Sequence, residues 1–418
     1  MRTYPFKEKP LNQWLIGIFL FLLLFLSRDT MYGREVIGFF PSQMAALGLT
    51  FLAAVIFLIC NRRNLKEIFT DGRVVMAGVF FLLFLIPMVI KQDWQLMYMS
   101  IVLYLLTALF LHYFLTLRQA SRFYLVILAA LSVYSLLATY CIRFFADSGL
   151  ISLPIFANDT DAHFYQLGLS VVAIDFVTMR NFGIFREPGV YQFFLLLALF
   201  LNNYKADWEK PWQTWTLNGI LAVTILSTFA TGGIIELGLL VIFLFWDKKW
   251  YRDRRARIIA YVGIGVLAAG ILYVLVTQNV LYQELIGIFG KFKYEKDTGE
   301  SRIASILMDL DLFLRHPILG TDLRTVLHAI ENNTTSTMIQ YAGFGLLTGS
   351  LHVAAWAALA WDKKRCVIGN LLLLLILFMS FNTQNLIGSL FFWLFPILAL
   401  LDVTVPRING FLHRKAGN

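Results

Sequence analysis

The sequence predicts an all-α polytopic membrane bundle of about twelve transmembrane helices, forming a single integral membrane domain over residues 1–418. Three observations lead there. Of the 418 residues, 59% are hydrophobic and only 15% charged, and the mean hydropathy is +0.70. A soluble domain cannot hide that much apolar surface. The apolar residues also gather into runs of spanning length, and lysine and arginine divide between the connections in a way that sorts them by side.

The first run, 11–27, follows Arg2, Lys7 and Lys9, as a signal peptide would. No small-x-small cleavage pattern follows it, because Ser27-Arg28-Asp29-Thr30 comes next, so it reads as the first span. Further spans fall near 36–60, 74–90, 95–117, 123–145, 189–203, 216–230, 232–246, 258–277, 336–361, 366–381 and 386–402. Some are short for a crossing. No connection is long enough to fold as a soluble domain, and no short-period repeat is evident.

Orientation follows from the basic residues. Arg2, Lys7 and Lys9; Arg62, Arg63, Lys66 and Arg73; Arg118 and Arg122; Lys205 and Lys210; the run Lys248–Arg257; Lys363–Arg365; and Arg407, Arg414 and Lys415 all fall on one side. That side is expected to be cytoplasmic, with both termini on it. The net charge of +9 then reflects topology, and nucleic acid is not an expected partner. Two connections on the other side are long, about 146–187 and 278–335. Most of the cations on that side lie between Arg180 and Arg324, where the positive-inside rule disfavours them. An anionic ligand would retain them; the alternative is that the rule weakens for long loops.

The isolated polar spots read more plainly. Cys60, Cys141 and Cys366 are scattered and suggest neither disulfides nor zinc. Asn158–His163 lacks the glycine and distal glutamate of a calcium loop and reads as solvated. Ser227–Gly233 reads as a tight turn, and Glu236, just inside the next span, as a carboxylate near enough to the surface to reach water. Asp175 lies in a weakly apolar run, Val171–Thr178, of re-entrant or interfacial character. His112 and His352 read as hydrogen-bonded inside the bundle. No metal site is expected, and no cofactor.

Two segments carry concentrated chemistry. In Arg180–Gln192, Pro188 suits the first turn of a helix, placing Glu187 at its positive end. This is either a capped helix start with interfacial arginines or a charged-ligand site. Ser301–Arg315 reads as a helix with Ser301 as N-cap and His316-Pro317 as its stop. Ile303, Ile306, Leu307, Leu310 and Leu314 make one face apolar; Arg302, Ser305 and Asp309 share another. Such a helix would lie on the outer membrane surface.

The pattern Arg180-Asn181-x-Gly183-x-Phe185-x-Glu187-Pro188-Gly189 resembles the signature of bacterial Wzy-type O-antigen and exopolysaccharide polymerases, which share a superfamily with the O-antigen ligases. Ser301-Arg302-Ile303 followed by Leu312-Phe313-Leu314-Arg315-His316-Pro317-Ile318-Leu319-Gly320 is similar to that family's outer-loop segment, and Asn332-Asn333-Thr334 with Gly343 resembles the start of its next span. The resemblance covers Arg180 to about Gly349, under half the chain.

It implies a GT-C-like, metal-independent glycosyltransferase of the bacterial inner membrane, which joins undecaprenyl-pyrophosphate-linked oligosaccharides on the outer face. Its partners would be those glycolipids, the bilayer, a chain-length regulator and a flippase. Glu187 would be the catalytic base, and Arg180, Arg186 and Arg302 would clamp the pyrophosphate. Asn332, Asn333, His328 and Arg315 are secondary candidates. One alternative is an O-antigen ligase, but aligning Gly343 puts Asn332 where ligases carry a histidine, with His328 four residues earlier. A glycolipid transporter or flippase is the alternative of another class; its two-halved forms keep their long loop inside, whereas here the long loops are outside.

Overall fold

The structure is a computed structural model that describes residues 10–33, 71–157, 162–174, 180–252, 302–329 and 335–416, with Asn333 and some isolated residues of 48–56 and 254–258. The spans expected at 36–60 and 258–277 lie largely or wholly outside them, as do Asn158–Asp161, Asp175 and Asn332.

The described helices follow the hydropathy. They are α1 (Pro10–Phe25), α2 (Gly72–Lys91), α3 (Leu96–Phe114), α4 (Leu117–Leu137), α5 (Arg143–Asp147), α6 (Pro188–Tyr204), α7 (Pro211–Ser227), α8 (Thr231–Asp247), α9 (Arg302–Arg315), α10 (Leu323–His328), α11 (Ser336–Ala360), α12 (Val367–Phe381) and α13 (Leu390–Ala416). A π turn, Ala138–Ile142, joins α4 to α5, so the pair runs as one rod. Five helical stretches are long and apolar enough to cross a membrane: Gly72–Lys91, Met97–Phe114, Leu117–Asp147, Ser336–Ala360 and Leu390–Leu412. Large side chains such as Leu82, Val126, Ile242 and Ile368 stand exposed along α2, α4, α8 and α12, as lipid-facing residues do. The chain is a polytopic helical membrane protein.

The all-α expectation needs one correction. Within the first long connection, β1 (Ile155–Ala157), β2 (His163–Leu167) and β3 (Ser170–Ala173) form an antiparallel sheet in the order β1-β2-β3. Phe164 pairs with Ala173 and Phe156 with Phe164. Val171–Ala173, expected to be re-entrant or interfacial, is therefore strand; its residues are all buried, and it packs against α4.

The core is organised around α6. Every residue from Val190 to Asn202 is buried, and α4, α7, α8 and α12 surround the helix. A helix apolar on all sides must be enclosed, so these 17 residues need not span the bilayer alone. The Tyr124 hydroxyl donates to the carbonyl of Phe194 at 3.0 Å, which fixes α6 against α4. The α13 helix packs on α3 and α11 and carries Pro396 and Pro406 inside it.

The basic end is stitched by buried charge. Arg73 bonds Asp71 at 2.8 Å and donates Nε to His112 Nδ1 at 2.9 Å, while His112 Nε2 lies 3.0 Å from Asp402. Arg365 pairs with Asp247 at 2.9 Å. His112 is thus hydrogen-bonded, as expected. His352 is not so well served: it is ringed by Trp356, Phe381, Phe392 and Trp393, and its Nε2 has no hydrogen-bond partner among the described residues.

Candidate functional site

The corner 180–189 is built by backbone hydrogen bonds to three separate elements. Asn181 is fully buried. Its Nδ2 donates to Ser135 Oγ and Ser227 Oγ, both at 3.0 Å, and its Oδ1 accepts from Gly183 N at 2.9 Å. That side chain pins the corner to α4 and α7. Gly183 O accepts from Val171 N, which ties in β3. Phe185 is stacked on Tyr191, 4.9 Å between ring centroids, and pairs across to Thr30. Arg186 N then donates to Asp29 O at 3.0 Å. The Asn181-x-Gly183-x-Phe185 part of the motif therefore makes the fold, and leaves Arg186 and Glu187 at the mouth.

Glu187 is the N-cap of α6, in extended conformation, and Pro188 occupies the first helical position. The Glu187 side chain makes no capping bond; it instead pairs with Arg186 Nη1 at 3.1 Å and is 46% exposed. Arg186 is 18% exposed, and its Nε has no hydrogen-bond partner among the described residues. Behind it lies Asp29, 3% exposed. Burial pushes the Asp29 carboxyl above the usual carboxylate range, and Ser389, Arg186 and Arg28 partly offset that. The mouth thus sets Arg186 between a sheltered and an open carboxylate, with Arg28 also near the sheltered one.

A polar seam leads inward from the mouth. Gly189 lies against Gln384, whose Nε2 would stand 2.3 Å from any Cβ at that position. One turn on, Gln192 accepts from Gly233 N at 2.6 Å and donates toward Glu236 and Thr383, each at 3.4 Å. Glu236 is 1% exposed, so the expectation that it reaches water is corrected: the glutamine covers it. The turn expected over Ser227–Gly233 is confined to Thr228–Ala230, with Gly232 and Gly233 already inside α8.

The other predicted residues fall on separate elements. Arg180 donates to the carbonyls of Thr228 and Phe229 at 3.2 and 3.4 Å, anchoring the α7–α8 turn. Arg302 opens α9, but its side chain lies outside the described residues. Arg315 closes α9, exposed, in an i,i+4 pair with Asp311 at 2.6 Å. His328 is exposed at the end of α10. Asn333 is buried and fully engaged: its Nδ2 donates to both oxygens of Asp309, at 2.9 and 3.0 Å, while its Oδ1 accepts from Thr335.

Asp309 is the residue that sequence reading placed on a face and did not single out. It also accepts from Thr335 Oγ1 at 2.8 Å, and it is completely buried. Burial raises its carboxyl to about 6, against the lowering effect of Thr335 and Asn333. Ser305, on the same face, is buried as well. Leu307 and Leu314, on the apolar face, are 60% and 65% exposed. The polar face of the helix therefore meets protein, and its apolar face is left exposed. Ser336 continues the link, donating to Gln384 O at 2.6 Å. Asp309, Asn333, Ser336, Gln384 and Gly189 thereby join all three motif-bearing segments at one end of the bundle.

What the arrangement can do chemically follows from these parts. A half-open guanidinium can meet an anion bidentately, an adjoining carboxylate can accept a proton, and α9 offers an exposed apolar face. Comparison with family models, with curated protein sequences and with solved structures finds no match.

Proposed function

We propose that the chain is a Wzy-type polysaccharide polymerase of the bacterial cytoplasmic membrane, acting on undecaprenyl-pyrophosphate-linked repeat units at the outer face. In this reading the long connections face outward and the basic end faces the cytoplasm. The observation that carries it is the half-open Arg186–Glu187 pair at the start of the enclosed helix α6, joined by a hydrogen-bonded seam to the lipid-facing helix α9.

The reaction assigns each group a task. An acceptor hydroxyl on one lipid-linked unit attacks the anomeric carbon of the donor glycan. The bond from that carbon to the pyrophosphate oxygen breaks, and undecaprenyl pyrophosphate leaves. Glu187 takes the hydroxyl proton, a role worth about 10²–10⁴-fold. Arg186 leaves its carboxylate partner for the departing pyrophosphate, with Arg302 as the second cation; the stronger charge of the pyrophosphate favours that exchange. Arg180, bound to carbonyls, shapes the mouth more than it reaches into it. The apolar face of α9 gives the polyprenyl chains a place to lie.

The test is the surface glycan of a strain lacking the protein. Single repeat units transferred to the final acceptor support polymerisation; long polymer held on the carrier points to a ligase and refutes it. In the complemented strain, Arg186→Ala, Arg302→Ala and Glu187→Gln should each lose long-chain product with the protein still present, and Arg186→Lys should fail too, because an ammonium lacks the planar fork. Full activity in Glu187→Gln would remove the base.

A further inference from the structure

The segment that follows α9 crosses α11 through a break in that helix. Gly345 sits at φ +78°, ψ −175°, inside an otherwise helical run. Leu346 N donates to Pro317 O at 2.8 Å and Thr321 N to Ala342 O at 2.7 Å, so residues 317–321 are threaded against the broken turn. The two backbones touch: a Cβ on Gly320 would stand 2.6 Å from Gly343 C and Gly345 N. Such a crossing turns carbonyls toward one another without amides to satisfy them.

Lys91, the last residue of α2, answers that need. Its Nζ donates to the carbonyls of Leu319 at 3.1 Å, Thr321 at 2.8 Å and Gly343 at 2.6 Å. An ammonium has three donors, and all three are used. Asp93, two residues on, accepts from Leu323 N at 2.7 Å and so holds the start of α10 beside the same point. A cavity of about 450 Å³ opens next to the lysine, lined also by Trp94, Asp322 and Arg324.

We propose that the carbonyls of Leu319, Thr321 and Gly343 form a monovalent-cation cage whose occupant is the chain's own Lys91 ammonium, latching the segment after α9 into the break of α11. Converging carbonyls replace the hydration shell of a potassium or ammonium ion. A tethered ammonium fills such a cage at any salt concentration. The cavity, with two carboxylates on its wall, gives a free ion a route to the cage once the side chain is removed. The inference concerns the cage itself and holds whatever reaction the mouth performs.

The experiment uses full-length protein in detergent. Lys91→Ala should melt below wild type, and ammonium or potassium chloride should restore at least half of the loss relative to tetramethylammonium chloride at equal ionic strength, while wild type is unmoved. Lys91→Met, whose thioether fills the space without a donor, should melt low and stay low in every salt. A Lys91→Ala protein that melts with wild type, or whose loss is the same in all three salts, overturns the proposal. Should Lys91→Ala not fold, reductive methylation of wild type decides: Lys91 should react on the order of tenfold more slowly than the exposed Lys363 and Lys364, since its donors are engaged, and equal rates overturn the proposal.

Discussion

Replacing Gly345 by alanine tests the crossing on which the α9–α11 arrangement rests. Its backbone angles, φ +78° and ψ −175°, lie in a region that essentially only glycine enters, at a cost of about 1–3 kcal/mol for another residue. The Cβ would also stand 2.2 Å from Ile318 O and 2.7 Å from Gly320 N. Both are backbone atoms, so no side chain can swing away to make room. Relief requires residues 318–320 to back out, which breaks Leu346 N to Pro317 O and Thr321 N to Ala342 O. Two such bonds are worth about 1 kcal/mol each. The expected total is roughly 3–5 kcal/mol, read as a lowered melting temperature in detergent. Gly219, mid-way along α7, is the control: a Cβ there meets nothing within 4 Å, and alanine should stabilise slightly, by about 0.5–1 kcal/mol. A Gly345→Ala protein that melts alongside Gly219→Ala would refute the broken-helix crossing.

Two further predictions follow from charge. The Asp309 carboxyl is raised to about 6 by burial, so the folded state keeps a proton that the unfolded chain has already released; its contribution to stability is present below about pH 4 and is lost as pH rises through 6. The difference in melting temperature between wild type and Asp309→Asn should therefore slope across that window, and parallel profiles would refute it. For orientation, cysteines at Arg254 and Lys363 should be shielded from an impermeant thiol reagent on intact cells while one at Arg315 is labelled; labelling at Arg254 with none at Arg315 would invert the bundle.

The helices at 74–90, 95–117, 189–203, 336–361 and 366–381 were legible, though those at 189–203 and 366–381 are shorter than a crossing needs; hydropathy is a property of consecutive residues, and a bilayer-facing or enclosed helix satisfies its own backbone whatever its neighbours are. Pro188 marked the start of α6, and the 3.6-residue repeat marked α9, for the same local reason. The sheet at 155–173 was not legible: its strands are three to five residues long, too short for alternation to stand out. The break in α11 was hidden too, because Gly343 and Gly345 look like ordinary small residues in an apolar run.

The candidate site divides along the same line. Arg186 and Glu187 were singled out by the motif, but that they pair with each other at 3.1 Å was not read from it. That Asn333 serves Asp309 rather than facing outward, that Asp29 backs Arg186, and that Lys91 reaches carbonyls more than two hundred residues away were decided only when the helices packed. Local spacing determines which residues share a helix face; which polar groups that face meets depends on chain segments brought together from far apart, and a buried donor or acceptor takes whichever partner the packing supplies. By itself the sequence determined a basic-ended membrane bundle with charge held back near residues 180–189 and 302–315. The tertiary structure decided which of those charges stand open at the mouth and which are bound into the frame, because inside the bundle an unpaired polar group costs more than the bend needed to pair it.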